Sequence, residues 1–249
     1  MDESMKCEVC RAELDPEKER CPVCGAKYTR ICLGCGRVPG PEETVCAECG
    51  EALVPGLDMT REELIAAGQK CFMPYSGDRV YKIYLGGNMD GGGHVFHNRR
   101  GYTRTPPESR VVLPSLVEGH SIYGIWNEYF CVGDEFMPEV KAATYERMMR
   151  IREIVVSRGI RECLTYAFFG CAGLELLDLP RSVKSMKNDF YDLFMDGKEA
   201  MGNGVKKAPI TVRYHGTRED WEKVDVTSRF WEYADLGCLR LECLGRDEG

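Results

Sequence analysis

Cys7-Glu8-Val9-Cys10, Cys21-Pro22-Val23-Cys24, Cys32-Leu33-Gly34-Cys35 and Cys46-Ala47-Glu48-Cys49 all fall within the first 50 positions of the chain. Moving the first two pairs by 25 positions lays them on the second two, so each copy reads C-x2-C-x10-C-x2-C. Two residues between cysteines allow both thiolates of a pair to reach one ion, and a tetrahedral ion needs two such pairs. Glycine follows the last cysteine of each copy, as Gly25 and Gly50, and Gly36 follows Cys35. Glycine there supplies the left-handed backbone of a tight turn and leaves amides free to point at sulfur.

A unit of about 25 residues is too small to fold on an apolar core of its own. Four thiolates on zinc supply about 10–16 kcal/mol of apparent binding energy, which couples metal binding to folding. Cys7, Cys10, Cys21 and Cys24 are therefore expected to hold one structural Zn2+, and Cys32, Cys35, Cys46 and Cys49 a second. Unrelated thiols would not repeat in one frame, and a redox CxxC needs a strand–helix context that is missing here. Residues 7–50 resemble the double zinc ribbon family. The resemblance implies a metal-stabilised module of β knuckles occupying residues 1–52.

The ribbons are not expected to bind nucleic acid. Residues 1–56 carry seven Lys and Arg against eleven Asp and Glu, and with a formal −2 on each four-thiolate zinc centre the module reaches about −8. The whole chain is also acidic, at −7. The most apolar stretch, residues 166–179, is shorter than a membrane span and carries Glu175 and Asp178. The first ten residues have no apolar run of the kind a secretion signal needs. Fourteen cysteines in a chain without such a signal point to metal binding before disulfides, and to a cytoplasmic protein.

Beyond the ribbons, residues 53–72 read as a linker with a short helix. Thr60 is its N-cap, Glu63 completes a capping box, and Gly68 is its stop. Residues 80–85, Val-Tyr-Lys-Ile-Tyr-Leu, are β-branched and aromatic and predict a strand. Residues 86–93 form a glycine-rich loop before a second short strand at 95–97, making a hairpin at the start of a domain over residues 73–249. His94 and His97 would point to opposite faces of that strand, which argues against a metal pair.

Within residues 73–249 a quieter repeat emerges when apolar positions are aligned. A shift of 23 carries Ile151 to Leu174, Ile154 to Leu177, Val156 to Leu179, Ile160 to Val183, Cys163 to Met186, Ala167 to Phe190 and Phe168 to Tyr191. An earlier copy aligns at 43 over its strand, with Val111 on Ile154 and Leu113 on Val156. After a five-residue insertion it aligns at 38, with Ile122 on Ile160 and Ile125 on Cys163. Each unit reads as a strand, a turn, a second apolar edge and a bulky pair, which must stack on its neighbours to bury its core. Ala167-Phe168-Phe169-Gly170-Cys171, Leu174 and Leu179-Pro180-Arg181-Ser182-Val183 resemble the BspA-like leucine-rich repeat family, over about residues 110–226. The resemblance implies a short, irregular, β-rich solenoid, here with an inserted helix at 138–150 and an inserted loop at 195–209.

Cys131, Cys163 and Cys171 fall on or beside core positions, where cysteine acts as a small hydrophobe. Trp221 and Trp231 are expected to cap the last unit, and Cys238 and Cys243 carry no assigned role. Among His94, His97, His120 and His215 none stands in a nucleophile or metalloprotease motif. The expectation is a non-enzymatic protein whose ribbons are a docking head and whose repeat face receives a protein partner. Two alternatives are a ribbon-based nucleic-acid binder and an enzyme with its site between the 72–110 hairpin and the repeat.

Overall fold

A computed structural model of the chain describes residues 5–66, 69–71, 81–85, 109–127, 150–163, 167–168, 171, 173–187 and 209–245. The expected strand at 95–97, all but the last residue of the inserted helix (138–150) and of the inserted loop (195–209), and Cys131, Phe190 and Tyr191 lie outside these residues. The described chain is β-rich, with two sheets and few helices.

The first sheet begins in the ribbons. Strand β1 (Tyr28–Cys32) pairs antiparallel with β2 (Leu53–Met59), Tyr28 opposite Leu57 and Cys32 opposite Leu53. Residues 53–59, which the sequence places in a linker, are thus a strand that closes the second ribbon. That strand continues into the rest of the molecule, because Asp58 and Met59 pair in parallel with Leu116 and Val117 of β6 (Leu116–Val117). Alternation is broken in β2 because Val54 through Asp58 are all buried, covered on both sides. The short helix forms as expected, α1 (Arg61–Ala66). The Thr60 amide donates to Glu63 at 2.8 Å, and the Glu63 amide donates to Thr60 Oγ1 at 3.1 Å.

Strand β6 turns directly into β7 (His120–Asn127). The two turn residues, Glu118 and Gly119, have φ of 51° and 79°, the left-handed pair that matches strand twist in a tight hairpin. Strand β3 (Gln69–Cys71) pairs antiparallel with β4 (Tyr81–Leu85), and β4 lies parallel to β7. From β7 the sheet continues in parallel through β9 (Glu162–Cys163), β11 (Ser185–Met186) and β13 (Asp225–Val226).

The second sheet is parallel throughout and follows chain order: β5 (Arg110–Leu113), β8 (Glu153–Val156), β10 (Leu176–Pro180), β12 (Ile210–His215) and β14 (Leu239–Cys243). Its registers equal the sequence offsets. Val111 pairs with Ile154, an offset of 43, and Leu177 with Ile154, an offset of 23. In the first sheet Ile125 pairs with Cys163 at 38, and Met186 with Cys163 at 23.

Between the sheets the inward residues Leu113, Ile154, Leu177 and Val212 meet Ile125, Cys163 and Met186, with Phe168 and Cys171 among them, all essentially solvent-free. The far end is closed by α2 (Arg218–Trp221) and α3 (Ser228–Asp235). Trp221 is fully buried, 5.0 Å from the Tyr214 ring and 5.2 Å from that of Phe230. Trp231 packs edge-on against Phe230 and remains partly exposed. Cys238 is buried beside this end and Cys243 half-buried. No helix among the described residues is long and apolar enough to cross a membrane.

The ribbons rest on the second sheet. Leu14, Tyr28 and Leu57 form one apolar cluster with Val112 and Val155, the outward residues of β5 and β8. Polar contacts frame that cluster. The Arg110 guanidinium donates to the carbonyls of Glu8 (2.7 Å) and Val9 (2.9 Å), Arg158 pairs with Glu8 at 3.4 Å, and Arg11 pairs with Glu153. Asp58, almost fully buried, accepts from Lys27 (2.8 Å), Thr29 (2.9 Å) and the Gly119 amide (3.0 Å), fastening the ribbons to the β6–β7 turn.

Candidate metal centres

Each cysteine pair sits in the same backbone knuckle. Where the first cysteine of a pair is residue i, its amide donates to the carbonyl of i+5, and the amide of i+4 donates back to the carbonyl of i. This holds for Cys7, Cys21, Cys32 and Cys46, at 2.8–3.0 Å throughout. The residue after the second cysteine is left-handed in all four: Arg11 at 63°, Gly25 at 75°, Gly36 at 71° and Gly50 at 72°. Three were legible as glycines. The fourth, Arg11, was hidden by its side chain, although the 25-residue shift aligns it with Gly36.

The knuckles face each other in pairs and bring the sulfurs together as the spacing predicts. Cys7 and Cys24 lie 3.6 Å apart, as do Cys10 and Cys21. Cys32 and Cys49 lie 3.4 Å apart, and Cys35 and Cys46 3.6 Å. Within each group of four, all sulfurs fall within 4.8 Å of one another. A tetrahedral ion with metal–sulfur bonds near 2.3 Å sets sulfur–sulfur edges of about 3.8 Å, so the groups fit such an ion and are too wide for disulfides. The chain therefore carries two four-cysteine groups, each placed to bind one metal ion.

The electrostatics point the same way. The amides of Cys24 and Val23 hold the Cys21 thiol down to about 6. In the second group burial pushes Cys46 up, but the amides of Cys49 and Glu48 prevail and bring it to about 6. Burial raises Cys32 and Cys35. Amide dipoles thus charge one thiol per group, while others beside it resist ionisation until a divalent cation offsets the repulsion.

The outer shells differ. At the first group the Tyr28 hydroxyl donates to Cys7 Sγ at 3.3 Å and accepts from the Glu8 amide at 3.0 Å. Tyr28 is buried, and burial raises its phenol well above the ordinary range, which keeps it a donor. At the second group the Arg37 guanidinium lies 4.0 Å from Cys46 Sγ and pairs with Glu43. Glu43 also accepts from the amides of Gly40 (3.0 Å) and Ala47 (3.2 Å), and its bond to Arg37 leads these in holding its carboxyl down to about 2. The 25-residue shift maps Tyr28 to Leu53 and Arg37 to Ala12. These two positions, unequal between otherwise matched copies, are the signal by which the outer shells could have been found in the sequence.

One strand serves both groups: β1 opens with Tyr28, bonded to a sulfur of the first, and ends with Cys32, a ligand of the second. The second group is seated by a close backbone approach. A Cβ on Gly36 would stand 2.6 Å from the Gly159 carbonyl oxygen, and the Ser121 hydroxyl donates to the Gly36 carbonyl at 2.6 Å. In both groups the last ligand position, Cys24 or Cys49, is exposed, while its knuckle partner, Cys21 or Cys46, is buried. Comparison of the chain with known protein families, curated proteins and solved structures finds no match.

Proposed function

We propose that this protein is a non-enzymatic zinc-binding interaction protein. A double zinc ribbon and a short, irregular leucine-rich-repeat solenoid form one docked unit, and the sheet face left open beside the ribbons receives a protein partner. Four thiolates complete a tetrahedral shell, so zinc in these groups folds the chain and has no open position for water or substrate. The repeat reading draws support from the registers, because strands paired at the offsets of the apolar pattern are what stacked units produce.

The observation that carries the functional reading is the outward face of β10, β12 and β14. Asp178, Thr211, Arg213 and Glu242 stand there partly exposed, whereas the corresponding Val112 and Val155 of β5 and β8 lie under the ribbons. A preformed, strand-lined face loses little conformational entropy on binding, which suits protein recognition. Nucleic acid is the weaker reading, since phosphate contact needs clustered bases and the ribbons carry an excess of acids.

The test uses the full zinc-loaded chain as bait, beside a variant carrying Thr211→Glu and Arg240→Glu on the open face. A protein retained by the first and lost by the second, with zinc content unchanged, supports the reading. Equal capture by both baits means that the open face is not the interface. Saturable binding of mixed-sequence DNA or RNA in the micromolar range at about 150 mM salt, with affinity falling as salt rises, would move the assignment to nucleic acid.

A further inference from the structure

A cleft of about 530 Å3 separates the first ribbon from the outward face of β10, β12 and β14, within the range of small-molecule sites. Lys6 and Arg11 reach it from the ribbon, and Arg110, Arg158 and Arg213 from the sheet. Against these five cations stand three carboxylates, Glu8, Asp178 and Glu242. In a chain with 40 acids and 33 bases, the cleft inverts the sign of the whole.

Each carboxylate has a nearer partner than Arg213. Glu8 accepts from the Arg158 amide at 3.2 Å and its guanidinium at 3.4 Å. Asp178 is bonded to His215 Nε2 at 2.7 Å, and Glu242 lies 3.3 Å from Arg240. Arg213 comes no closer than 3.8 Å to Asp178 and 3.9 Å to Glu242, beyond hydrogen-bond length. Arg11 from the ribbon and Arg110 from the sheet both lean on one oxygen, Oε1 of Glu153. Positive charge therefore exceeds its partners, and one planar guanidinium has its forked donors uncommitted to either flanking acid. Val155, Pro180 and Leu244 add apolar wall.

We infer that this cleft binds a small molecule bearing an oxyanion, carboxylate or phosphate, on an apolar body. Arg213 presents two parallel N–H groups to two oxygens of such a group, the geometry in which guanidinium outperforms ammonium. Lys6 contributes a second positive charge from the ribbon. A ligand touching Lys6 and Arg213 together spans ribbon and sheet, so its binding also stabilises their docking by mass action. The cleft shares Asp178, Arg213 and Glu242 with the open face, but it is tested apart from the protein-partner reading, because neither Thr211 nor Arg240 lines it.

Isothermal titration of the full zinc-loaded chain, with sodium phosphate in one arm and sodium phenylacetate in the other, tests the inference. The expected result is saturable one-site binding in at least one arm, and the arm that binds identifies the oxyanion. Arg213→Ala should weaken that binding about ten-fold or more, with Arg213→Lys between the two and Lys6→Ala giving a smaller loss. Zinc content and melting temperature, measured on each variant, establish that it is folded; the variants on opposite walls report independently. Absence of saturable binding in both arms up to about 10 mM, or affinity unchanged in folded Arg213→Ala, overturns it.

Discussion

The two four-cysteine groups have the same spacing, the same knuckle hydrogen bonds and the same burial order along their ligands, yet they are held in different ways. The first leans on side chains: the Tyr28 hydroxyl on Cys7, apolar contacts to Val112 and Val155, and Arg110 and Arg158 gripping the knuckle at Glu8. The second leans on backbone, with Gly36 pressed against Gly159 and its carbonyl taken by Ser121, while Arg37 lays positive charge beside Cys46. The ligand frame fixes what an ion sees first, and the surroundings decide which substitutions each centre tolerates.

Loss of metal is the largest disturbance available to that comparison. Chelation should remove two equivalents and unfold residues 5–52, and it should also strip amide protection from β5 and β8, whose outward valines lose their cover. Hydrogen exchange showing β5 and β8 untouched would mean that the ribbons are detachable. Cysteine variants divide the groups further. Cys24→Ser, at an exposed ligand, should leave one equivalent bound. Cys32→Ser, buried in the strand that serves both groups, should leave less than one. Elemental analysis of the purified variants distinguishes these outcomes.

Gly36→Ala and Gly25→Ala separate strain from contact. Both positions are left-handed, which costs a non-glycine residue about 1–2 kcal/mol. At Gly25 a Cβ meets nothing within 4 Å, so denaturant melts should show that cost alone. At Gly36 the Cβ meets backbone at 2.6 Å, and the loss should clearly exceed it. Equal losses would mean that the Gly36–Gly159 approach does not seat the second group.

Tyr28→Phe is a finer probe. It removes the bond to Cys7 sulfur and leaves the Glu8 amide without its acceptor, so metal affinity of the first group should fall about 10–100-fold while the second is unchanged. Competition with a graded chelator series reads both affinities. The smallest expected effect is Arg11→Gly, where relief of the left-handed strain offsets a lost surface ion pair, leaving stability within about 1 kcal/mol of the original. A larger loss would give the Arg11–Glu153 pair a share in docking that its exposure argues against.

The two four-cysteine groups were legible, because a tetrahedral ion imposes its spacing on adjacent residues and the chain states that spacing twice. The capping box at Thr60 and Glu63 is similarly local. The offsets of 43, 38 and 23 were legible for a different reason. Parallel strands stacked in register bury equivalent residues at equivalent heights, so Val111, Ile154 and Leu177 had to be apolar together. Asp58 escaped because its three donors come from residues 27, 29 and 119, which no linear pattern brings near a supposed linker.

Sequence alone determined which cysteines gather into groups of four able to hold a metal ion and which residues of the paired strands face the core, since both follow from short-range geometry repeated along the chain. It also held an unread trace of the docking. Val111-Val112-Leu113 and Ile154-Val155-Val156 are apolar at every position, while Leu177-Asp178-Leu179 and Val212-Arg213-Tyr214 alternate. Unbroken apolar runs mark strands covered on both faces, so β5 and β8 required a second body on their outward side. Only the tertiary structure decided that this body is the module of the two four-cysteine groups. Complementarity between Leu14, Tyr28 and Leu57 and a pair of valines more than fifty positions away depends on shape and distance in space, which the order of residues does not carry.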